Sequence, residues 1–467
     1  MKRITAFIIT FVLIMGSGVS VNAKGYTESD RGIAITLQLI DLFGITDKSD
    51  SQIIKEALSN LANEDKETLV RVLNSIASTV DEYSVYYPEE EYNEFLKDIS
   101  GTVYGIGVTA IVEDGAFMVV TLLDGGSAKE AGIERGDKII EADGVDITGQ
   151  RAENASSYIT GEEGTYVNLK VKKPNGDIVS YTLQRRKVLV PSVTNTVLDD
   201  SIGYILINSF TENTHIEVEK VLKELKDKKI DDLIIDLRYN GGGVMDSGIA
   251  TAELFMEKDK VIISTKDKDD EIKYYMSQKD GYDFNTVLLT NEYTASASEI
   301  FACALIDNGY AVSVGKTTFG KACAQGLYPI AVGGALRLTV LNYYTPNGTF
   351  INKEGIKVTH FVENEKYKLS EDQLPKLSYT YKFKNGDTNE EVEKIETMLY
   401  NLNYLSVSPD TVYDENTMSA VTKFQSEKNL YPYGVCDLTT QTYLLSAYAE
   451  AEFTEDSQLK YAIELLK

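Results

Sequence analysis

Residues 187–365 alternate strand-like apolar runs with amphipathic runs, and this alternation limits the possible folds more than any other feature of the chain. Ile202–Ile207 and Leu233–Leu237 have the character of strands. Between these two runs, apolar residues recur at helical spacing, at Val218, Val221, Leu222 and Leu225. Strands that alternate with helices in this way predict an α/β domain.

The remaining segments have other patterns. A chain of 467 residues is too long for a single core, so we expect several domains and a multidomain α/β protein. Residues 24–100 have helical spacing, residues 101–186 alternate β-rich runs with glycine turns, and residues 381–450 contain three short helices. Residues 366–380 lack periodicity and are predicted to be a linker, and residues 451–467 are assigned to a C-terminal tail.

The first 23 residues have the composition of a secretory signal peptide. Lys2 and Arg3 precede an apolar run from Ile4 to Met15, and small residues lead to a cleavage site after Ala23. The apolar run is short for a membrane-spanning helix, so retention as a membrane anchor is the less favoured alternative. We therefore expect the protein outside the cytoplasm, secreted or attached to the cell envelope.

The charge balance and the cysteine content exclude some partners. The chain has 46 Lys and Arg residues against 72 Asp and Glu residues, a formal net charge of −26, which is poorly suited to binding nucleic acid through its phosphates. The three cysteines, Cys303, Cys323 and Cys436, cannot form a disulfide framework, and Cys303 has the surroundings of a small core residue. No cluster of His and Cys residues has the spacing of metal ligands, so no metal site is expected.

The segment Tyr293–Glu299, with the sequence YTASASE, contains two serines between an apolar strand-like run and an apolar helical run. Serines just before a helix usually cap it, because the hydroxyl can accept a hydrogen bond from a free backbone N–H. Ser298, directly ahead of Glu299, fits this capping role. Ser296 is not needed for capping, so its position asks for another explanation.

A nucleophilic serine needs a base, and the chain has only two histidines. His215 opens a charged helix and His360 lies between strand-like residues, and neither context suggests a catalytic base. The remaining alternative is a lysine whose pKa is lowered by burial. Lys321 stands among small and apolar residues in TTFGKACAQ, whereas most other lysines stand in charged runs. From this stretch alone, a lysine at the surface edge of a strand is an equal alternative.

The residues that follow Lys321 bear on its environment. If the segment is extended, Lys321, Cys323 and Gln325 share one face, because side chains alternate along a strand. Gln325 would then be placed to hold the lysine amine by a hydrogen bond.

Four separated stretches resemble the C-terminal processing (tail-specific) serine peptidases, which use a Ser–Lys dyad. These stretches are DEYSVYYPEEEY at 81–92, DLRYNGGG at 236–243, TASASEI at 294–300 and TTFGKACAQ at 317–325. They agree with the family in order and in content, although Gly241 stands where proline is common. The resemblance extends over about residues 70–365.

The resemblance implies a serine endopeptidase with a crotonase-like α/β core. On this match Ser296 is the nucleophile, Lys321 is the general base, and Gln325 orients the lysine. Thr294 and Ser298 would then be packing or capping residues. The backbone amides of Gly242 and Ala297 would hold the oxyanion that forms during the reaction. No cofactor is implied.

Residues 101–186 resemble a PDZ domain, with a carboxylate-binding turn at Tyr104, Gly105, Ile106 and Gly107. PDZ domains take up a C-terminal peptide as an added strand, so the implied partners are proteins or peptides with accessible C-termini. Relatives often have a basic residue where this chain has Thr160, which argues against an arginine-based coupling between this domain and the active site.

Residues 381–450 resemble a peptidoglycan-binding three-helix module, through a segment that contains Phe424 and Gln425. The module would bind peptidoglycan, or it would serve for docking or dimerisation; family analogy alone assigns homodimer formation to helices in residues 27–100. The rival interpretation of the whole chain is a non-catalytic envelope scaffold with a degenerate core. The presence of Ser296, Lys321 and Gln325 argues against it.

Overall fold

The structure is a computed structural model that describes residues 49–62, 65–113, 115–331 and 333–467. The predicted signal peptide and the first helical run, which contains Ile33 and Phe43, lie outside the described residues. The chain divides into two compact units, one formed by residues up to Pro88 together with Tyr328–Leu338, and one formed by the remainder. Among the helices within these ranges, none combines the length and the apolar character that crossing a bilayer requires.

Helices and strands are numbered separately in chain order. Within the described ranges the helices are α1 (Asp50–Ala62), α2 (Lys66–Ala77), α3 (Glu89–Ser100), α4 (Ser127–Glu130), α5 (Ala152–Ile159), α6 (Thr214–Asp227), α7 (Met245–Glu253), α8 (Ala297–Asp307), α9 (Glu390–Asn401), α10 (Glu415–Glu427), α11 (Leu438–Glu450) and α12 (Ser457–Leu466). The strands are β1 (Val85–Tyr87), β2 (Thr102–Gly105), β3 (Val108–Glu113), β4 (Ala116–Leu122), β5 (Lys138–Ala142), β6 (Val145–Asp146), β7 (Tyr166–Lys172), β8 (Ile178–Gln184), β9 (Arg186–Leu189), β10 (Val193–Leu198), β11 (Ile202–Ile207), β12 (Asp232–Asp236), β13 (Val261–Asp267), β14 (Ile272–Met276), β15 (Asn285–Thr290), β16 (Ala311–Gly315), β17 (Cys323–Pro329), β18 (Ala335–Tyr344), β19 (His360–Phe361), β20 (Lys366–Tyr367) and β21 (Phe453–Thr454).

The described residues of the first unit form two helices and a short strand pair. Helices α1 and α2 are neighbours, and Asp65 caps α2 by accepting a hydrogen bond from Thr68 N–H. Strand β1 pairs antiparallel with the first three residues of β18, and the Tyr86 hydroxyl donates to the Gly333 carbonyl. The region expected to be helical therefore also contains a strand.

The second unit is built on a six-stranded sheet of order β10-β11-β12-β15-β16-β19. All of its neighbouring strands are parallel except β10, which runs antiparallel to β11. Strands of a parallel sheet are covered on both faces and are therefore apolar almost throughout. The run from Leu233 to Ile235 and the run from Val287 to Leu289 are buried at every position. The predicted multidomain α/β fold is confirmed.

Three helices cover one face of this sheet. Leu233 and Ile235 of β12 point to this face, together with Leu288 of β15, because alternate residues of a strand share a face. They belong to one buried cluster with α6, α7 and α8, and α8 is buried continuously from Ala297 to Leu305. The first turn of α8 is therefore buried in the core of the second unit.

Helix α12, at the end of the chain, covers the opposite face. Its fully buried Ala462 belongs to a cluster with side chains of four strands, namely Ile202, Ile234, Val287, Leu289 and Val314. The Asp456 carboxylate caps α12 through Leu459 N–H and accepts two hydrogen bonds from Arg238, at 2.7 and 2.8 Å. Residues 451–467, assigned to a tail from the sequence, include this helix, which completes the peptidase core.

The Arg238 guanidinium links α12 to the turn that follows β12. This turn comprises residues 238–243 and is called the glycine turn. It donates to both oxygens of Asp236, the last residue of β12, as well as to Asp456. Burial would lower the pKa of Arg238, but the hydrogen bonds to the two carboxylates outweigh burial and raise it. The glycine turn thus begins at an anchored residue.

The PDZ-like region and the C-terminal module have separate cores. Strands β3, β4, β5, β7 and β8 form a sheet around a core that includes Ile106, Val119 and Ile159. Helices α9, α10 and α11 enclose the core of the C-terminal module, with Phe424 fully buried. The segment 366–380, predicted to be a linker, contains β20, which pairs with β21, and its leucines pack against this module.

The position of α12 leads to a stability prediction. We expect Ala462→Asp to destabilise the peptidase core by about 3 kcal/mol or more, or to release α12, because it places a charge against an apolar sheet face. Leu465→Asp is the matched control, since Leu465 is exposed on the same helix. Urea unfolding and limited proteolysis of α12 would measure both variants, and equal stability of the two would contradict the assignment of α12 to the core.

Candidate active site

Ser296 lies on a tight turn between β15 and α8. Its φ of +58° and ψ of −118° are unusual for a residue other than glycine and indicate backbone strain. The turn is fixed by the buried Thr294, whose hydroxyl donates to the Leu237 carbonyl at 2.9 Å. Ser296 itself is partly exposed.

Ser298 is not a helix cap, so of the two roles that the sequence leaves open for it, capping is wrong and packing remains. Helix α8 begins at Ala297, which places Ser298 inside the first turn of the helix, and Ser296 is the residue before the helix. The Ser298 hydroxyl donates to the Asn240 carbonyl at 3.1 Å. Ser298 therefore holds the glycine turn against α8.

Glu299 links the segment that contains Ser296, residues 294–300, to the segment that contains Lys321, residues 317–325. One carboxylate oxygen, Oε2, accepts from Ser296 N–H at 2.9 Å and from Lys321 N–H at 2.8 Å. The other oxygen, Oε1, accepts from the Thr318 hydroxyl at 2.6 Å and from Gly320 N–H at 2.7 Å. All four partners are donors, which suits an ionised carboxylate.

The ionisation of Glu299 is subject to opposing effects. The side chain is fully buried, and burial is the larger effect, so the pKa of its carboxyl is raised above the usual value although its four hydrogen bonds act in the opposite direction. Removing its charge or its acceptor oxygens would leave buried N–H groups without partners.

Tyr343 of β18 is a second bridge between the same two segments. Its side chain is fully buried, and its hydroxyl lies within hydrogen-bond distance of the Ser296 carbonyl, at 3.2 Å, and of the Lys321 carbonyl. Glu299 and Tyr343 thus hold the backbones of Ser296 and Lys321 from the N–H side and from the carbonyl side.

The Lys321 amine makes the hydrogen bond that its spacing predicts. Lys321 Nζ donates to Gln325 Oε1 at 3.0 Å. The amide nitrogen of Gln325 in turn donates to Thr339 Oγ1 at 3.1 Å and contacts Cys323 Sγ at 3.3 Å. These contacts fix which end of the Gln325 amide faces the lysine. Gln325 is a neutral amide, which stabilises an ammonium ion less than a carboxylate would.

Gly242 lies directly against the serine. A Cβ atom on Gly242 would come within 2.8 Å of Ser296 Cβ and of Ala297 N, and its φ of +100° also excludes other side chains. Its N–H donates to Asn240 Oδ1 at 2.9 Å. In this structure the amide expected to bind the oxyanion is therefore engaged within its own turn.

The two histidines, His215 and His360, lie on elements other than the turn and the strand that carry Ser296 and Gln325. His360 lies on the edge strand β19, and its Nδ1 is 3.3 Å from the hydroxyl of Tyr461 on α12. His215 lies in the first turn of α6. No group of three or more His, Cys, Asp or Glu side chains in the described part of the chain is arranged to hold a metal ion.

The turn from Tyr104 to Gly107 is fixed through its carbonyl groups. The Tyr104, Ile106 and Gly107 carbonyls accept from the N–H groups of Gly161, Ala128 and Leu123, in that order. Gly107 has a φ of +80°, and a Cβ atom there would come within 2.4 Å of the backbone of the adjacent loop. A cavity of about 370 Å³ adjoins this turn, and residues of β3 and α5 are among those that line it.

A larger cleft, of about 1130 Å³, joins the PDZ-like region to the glycines beside Ser296. Tyr104 and Thr160 line it on one side, and Gly241–Gly243 line it on the other. The cleft therefore connects the predicted tail-binding turn with the predicted oxyanion glycine.

Sequence comparisons identify the class of protein. The family described as peptidase family S41 matches residues 201–361, a PDZ domain family matches 118–173, and a putative peptidoglycan binding domain family matches 388–444. Carboxy-terminal processing protease CtpA of Bacillus subtilis (strain 168) is 32% identical over 415 residues, which cover 89% of this chain and 88% of that protein. Carboxy-terminal processing protease CtpB of the same strain is 30% identical over 429 residues, 88% of each chain.

The chain belongs to peptidase family S41, among the carboxy-terminal processing proteases, and is a serine-type endopeptidase. The resemblance found in the sequence is confirmed. Among solved structures, the photosystem II D1 C-terminal processing protease is 23% identical, with a TM-score of 0.42, and the match covers 72% of this chain and 94% of that one.

Some residues of the site were not recognised from the sequence. Glu299 follows Ser296 at the spacing of a capping box, and this signal could have identified its contact with Ser296 N–H. Nothing in the sequence indicates its contacts with Thr318, Gly320 and Lys321. Tyr343 comes from a distant strand and has no local signal.

The central position of Glu299 leads to a kinetic prediction. We expect Glu299→Gln to lower kcat about 100-fold with little change in KM, because the amide places a donor against backbone N–H groups and shifts the serine relative to the lysine. The exposed Glu292, in the same loop, provides the control Glu292→Gln. Both variants would be assayed on β-casein with urea unfolding in parallel, and wild-type kcat in a folded Glu299→Gln protein would contradict the role of the carboxylate.

Proposed function

We propose that this peptidase cuts polypeptides by a Ser–Lys mechanism, with Ser296 as nucleophile, Lys321 as general base and Gln325 as the residue that orients the lysine. The observation that carries the proposal is the Glu299 carboxylate, which accepts hydrogen bonds from the backbone N–H groups of both Ser296 and Lys321. A buried carboxylate that binds both backbones can fix the two reacting residues relative to each other.

In the proposed reaction, neutral Lys321 Nζ accepts the proton of Ser296 Oγ while Oγ attacks the carbonyl carbon of the scissile peptide. The carbon–nitrogen bond then breaks, and the lysine ammonium returns its proton to the leaving amine. A water molecule hydrolyses the resulting ester, giving its proton to Lys321, which passes it back to Ser296 Oγ. The Gln325 amide keeps Nζ directed at the serine through these steps.

The carbonyl oxygen becomes negatively charged during attack, and we propose that the amides of Gly242 and Ala297 stabilise it. Gly242 N–H must first exchange Asn240 Oδ1 for the substrate oxygen. Glycine at 242 eases the rotation of this peptide group, because a residue without a Cβ atom has few steric limits on φ.

We propose that substrates enter by their C-termini. The amides of the turn Tyr104-Gly105-Ile106-Gly107 would bind the terminal carboxylate, and the preceding residues would add as a strand next to β3. The cleft lined by Tyr104, Thr160 and Gly241–Gly243 supports this route, since it runs from Tyr104 of that turn to the glycines beside Ser296. Protein and peptide tails that are free and unstructured are the substrates such a path can admit, and no cofactor is needed.

The proposed setting is the cell envelope. Residues 1–23 would direct export and would be cleaved after Ala23, or they would remain as an anchor. We assign residues 101–186 to the PDZ domain, 187–365 to the peptidase core and 381–450 to a module that binds peptidoglycan. A homodimer formed through the N-terminal helices is proposed on family analogy alone.

The test of the catalytic assignment is a pair of serine variants. Ser296→Ala should lower the hydrolysis of β-casein on the order of 10⁶-fold without loss of folding, because it removes the nucleophile from a partly exposed turn. Ser298→Ala loses one buried hydrogen bond, worth about 1 kcal/mol of folding stability, and should keep turnover within about tenfold of wild type. Turnover retained by a folded Ser296→Ala protein would overturn the proposal.

A further inference from the structure

Two exposed tyrosines stack on each other beside the catalytic turns. The rings of Tyr239 and Tyr293 are 5.5 Å apart between centroids with an interplanar angle of 19°, and the two residues are 75% and 57% exposed. Tyr239 belongs to the segment DLRYNGGG, and Tyr293 precedes TASASE. The two segments that carry the oxyanion glycine and the nucleophile thus each present one aromatic ring to solvent.

The pair is tied to the catalytic turns through the backbone. Asn291 Oδ1 accepts from Tyr239 N–H at 3.0 Å and from Tyr293 N–H at 3.1 Å, and the Asn240 carbonyl accepts from Ala295 N–H. The two chain segments therefore run side by side, from the tyrosine pair at one end to Gly242 against Ser296 at the other.

The spacing places the pair within reach of a bound substrate. Tyr239 precedes Gly242 by three residues, and Tyr293 precedes Ser296 by three residues. Three residues of chain span at most about 11 Å. An extended substrate advances about 3.3 Å per residue, so side chains within about three residues of the scissile bond can reach the tyrosines.

The backbone of Tyr239 indicates that its ring has a function outside the fold. Its φ of +64° lies in the left-handed region, where glycine and asparagine are favoured and a bulky residue is rare. Its ring is mostly exposed, so it contributes little to the core. Neither packing nor backbone preference accounts for a tyrosine here, and strained residues of this kind are concentrated at functional sites.

We propose that Tyr239 and Tyr293 form a subsite that binds a large apolar side chain of the substrate polypeptide within about three residues of the scissile bond. The inference rests on the proposed function of Ser296. Aromatic rings bury large apolar area at little cost in side-chain entropy, and a stacked pair presents one continuous surface. The enzyme would then select cleavage sites by an apolar neighbour in addition to the C-terminal residue of the substrate.

The experiment is a cleavage-site profile of β-casein, a chain without fixed structure, obtained by mass spectrometry of the products. Wild-type protein should cut with an enrichment of Leu, Ile, Phe and Tyr at a position within three residues of the bond. Tyr293→Ser, Tyr239→Asn and the double variant should each reduce that enrichment, the double variant about fivefold, with a rise in KM. Tyr239→Asn should not lower the urea midpoint, because asparagine tolerates the left-handed backbone.

A control variant and a labelling assay separate an effect on the subsite from an effect on the catalytic serine. Tyr274→Ser, which removes a tyrosine that is 62% exposed on β14, is the matched control and should leave the profile unchanged. Labelling of Ser296 by a small fluorophosphonate reports separately whether the catalytic serine is intact, so failure of the subsite is distinguished from failure of the Ser–Lys assignment. An unchanged profile in the labelled double variant would overturn the subsite. Enrichment of Lys or Arg, or loss of labelling in the double variant, would also overturn it.

Discussion

The buried carboxylate of Glu299 is the interaction on which the arrangement of the active site depends. It accepts four hydrogen bonds, two of them from the backbones of Ser296 and Lys321, which belong to different segments of the core. Burying a carboxylate without hydrogen-bond partners costs free energy. Separating the segment that contains Ser296 from the segment that contains Lys321 would remove partners from Glu299 and is therefore unfavourable. The same contact therefore stabilises the fold and sets the geometry of the proposed dyad.

The sheet supplies the rigid frame for this contact. β15 leads to the serine turn and β12 leads to the glycine turn, and both strands are buried on two faces. The second face is completed by α12 from the end of the chain, which is tied to the glycine turn by Asp456 and Arg238. In chain order, the C-terminal module therefore lies between the main part of the peptidase core and α12. The last helix is a structural part of the peptidase core.

Local sequence was sufficient to predict the alternation of strands and helices in the core, but not β1, β20, α12 or the contacts between distant segments. The strand–turn–helix around Ser296 and the face shared by Lys321 and Gln325 follow from short-range periodicity. The contact of Arg238 with Asp456 and that of Tyr343 with the Ser296 carbonyl join residues far apart in the chain, and no single-sequence pattern encodes them. The sequence left both capping and packing open for Ser298, because a capping serine and a serine buried within a helix look alike until the first residue of the helix is known.

The most direct test of the Ser–Lys account is the pH dependence of fluorophosphonate labelling, with the modified residue mapped by mass spectrometry. The account predicts a single adduct on Ser296, formed faster as pH rises because more Lys321 is neutral. Lys321→Ala and Lys321→Arg should both label slowly at every pH, since guanidinium stays protonated. The double variant His215→Gln, His360→Gln should label as wild type does. An adduct on another serine, or labelling that survives Lys321→Ala but is lost in the histidine variant, would contradict the account.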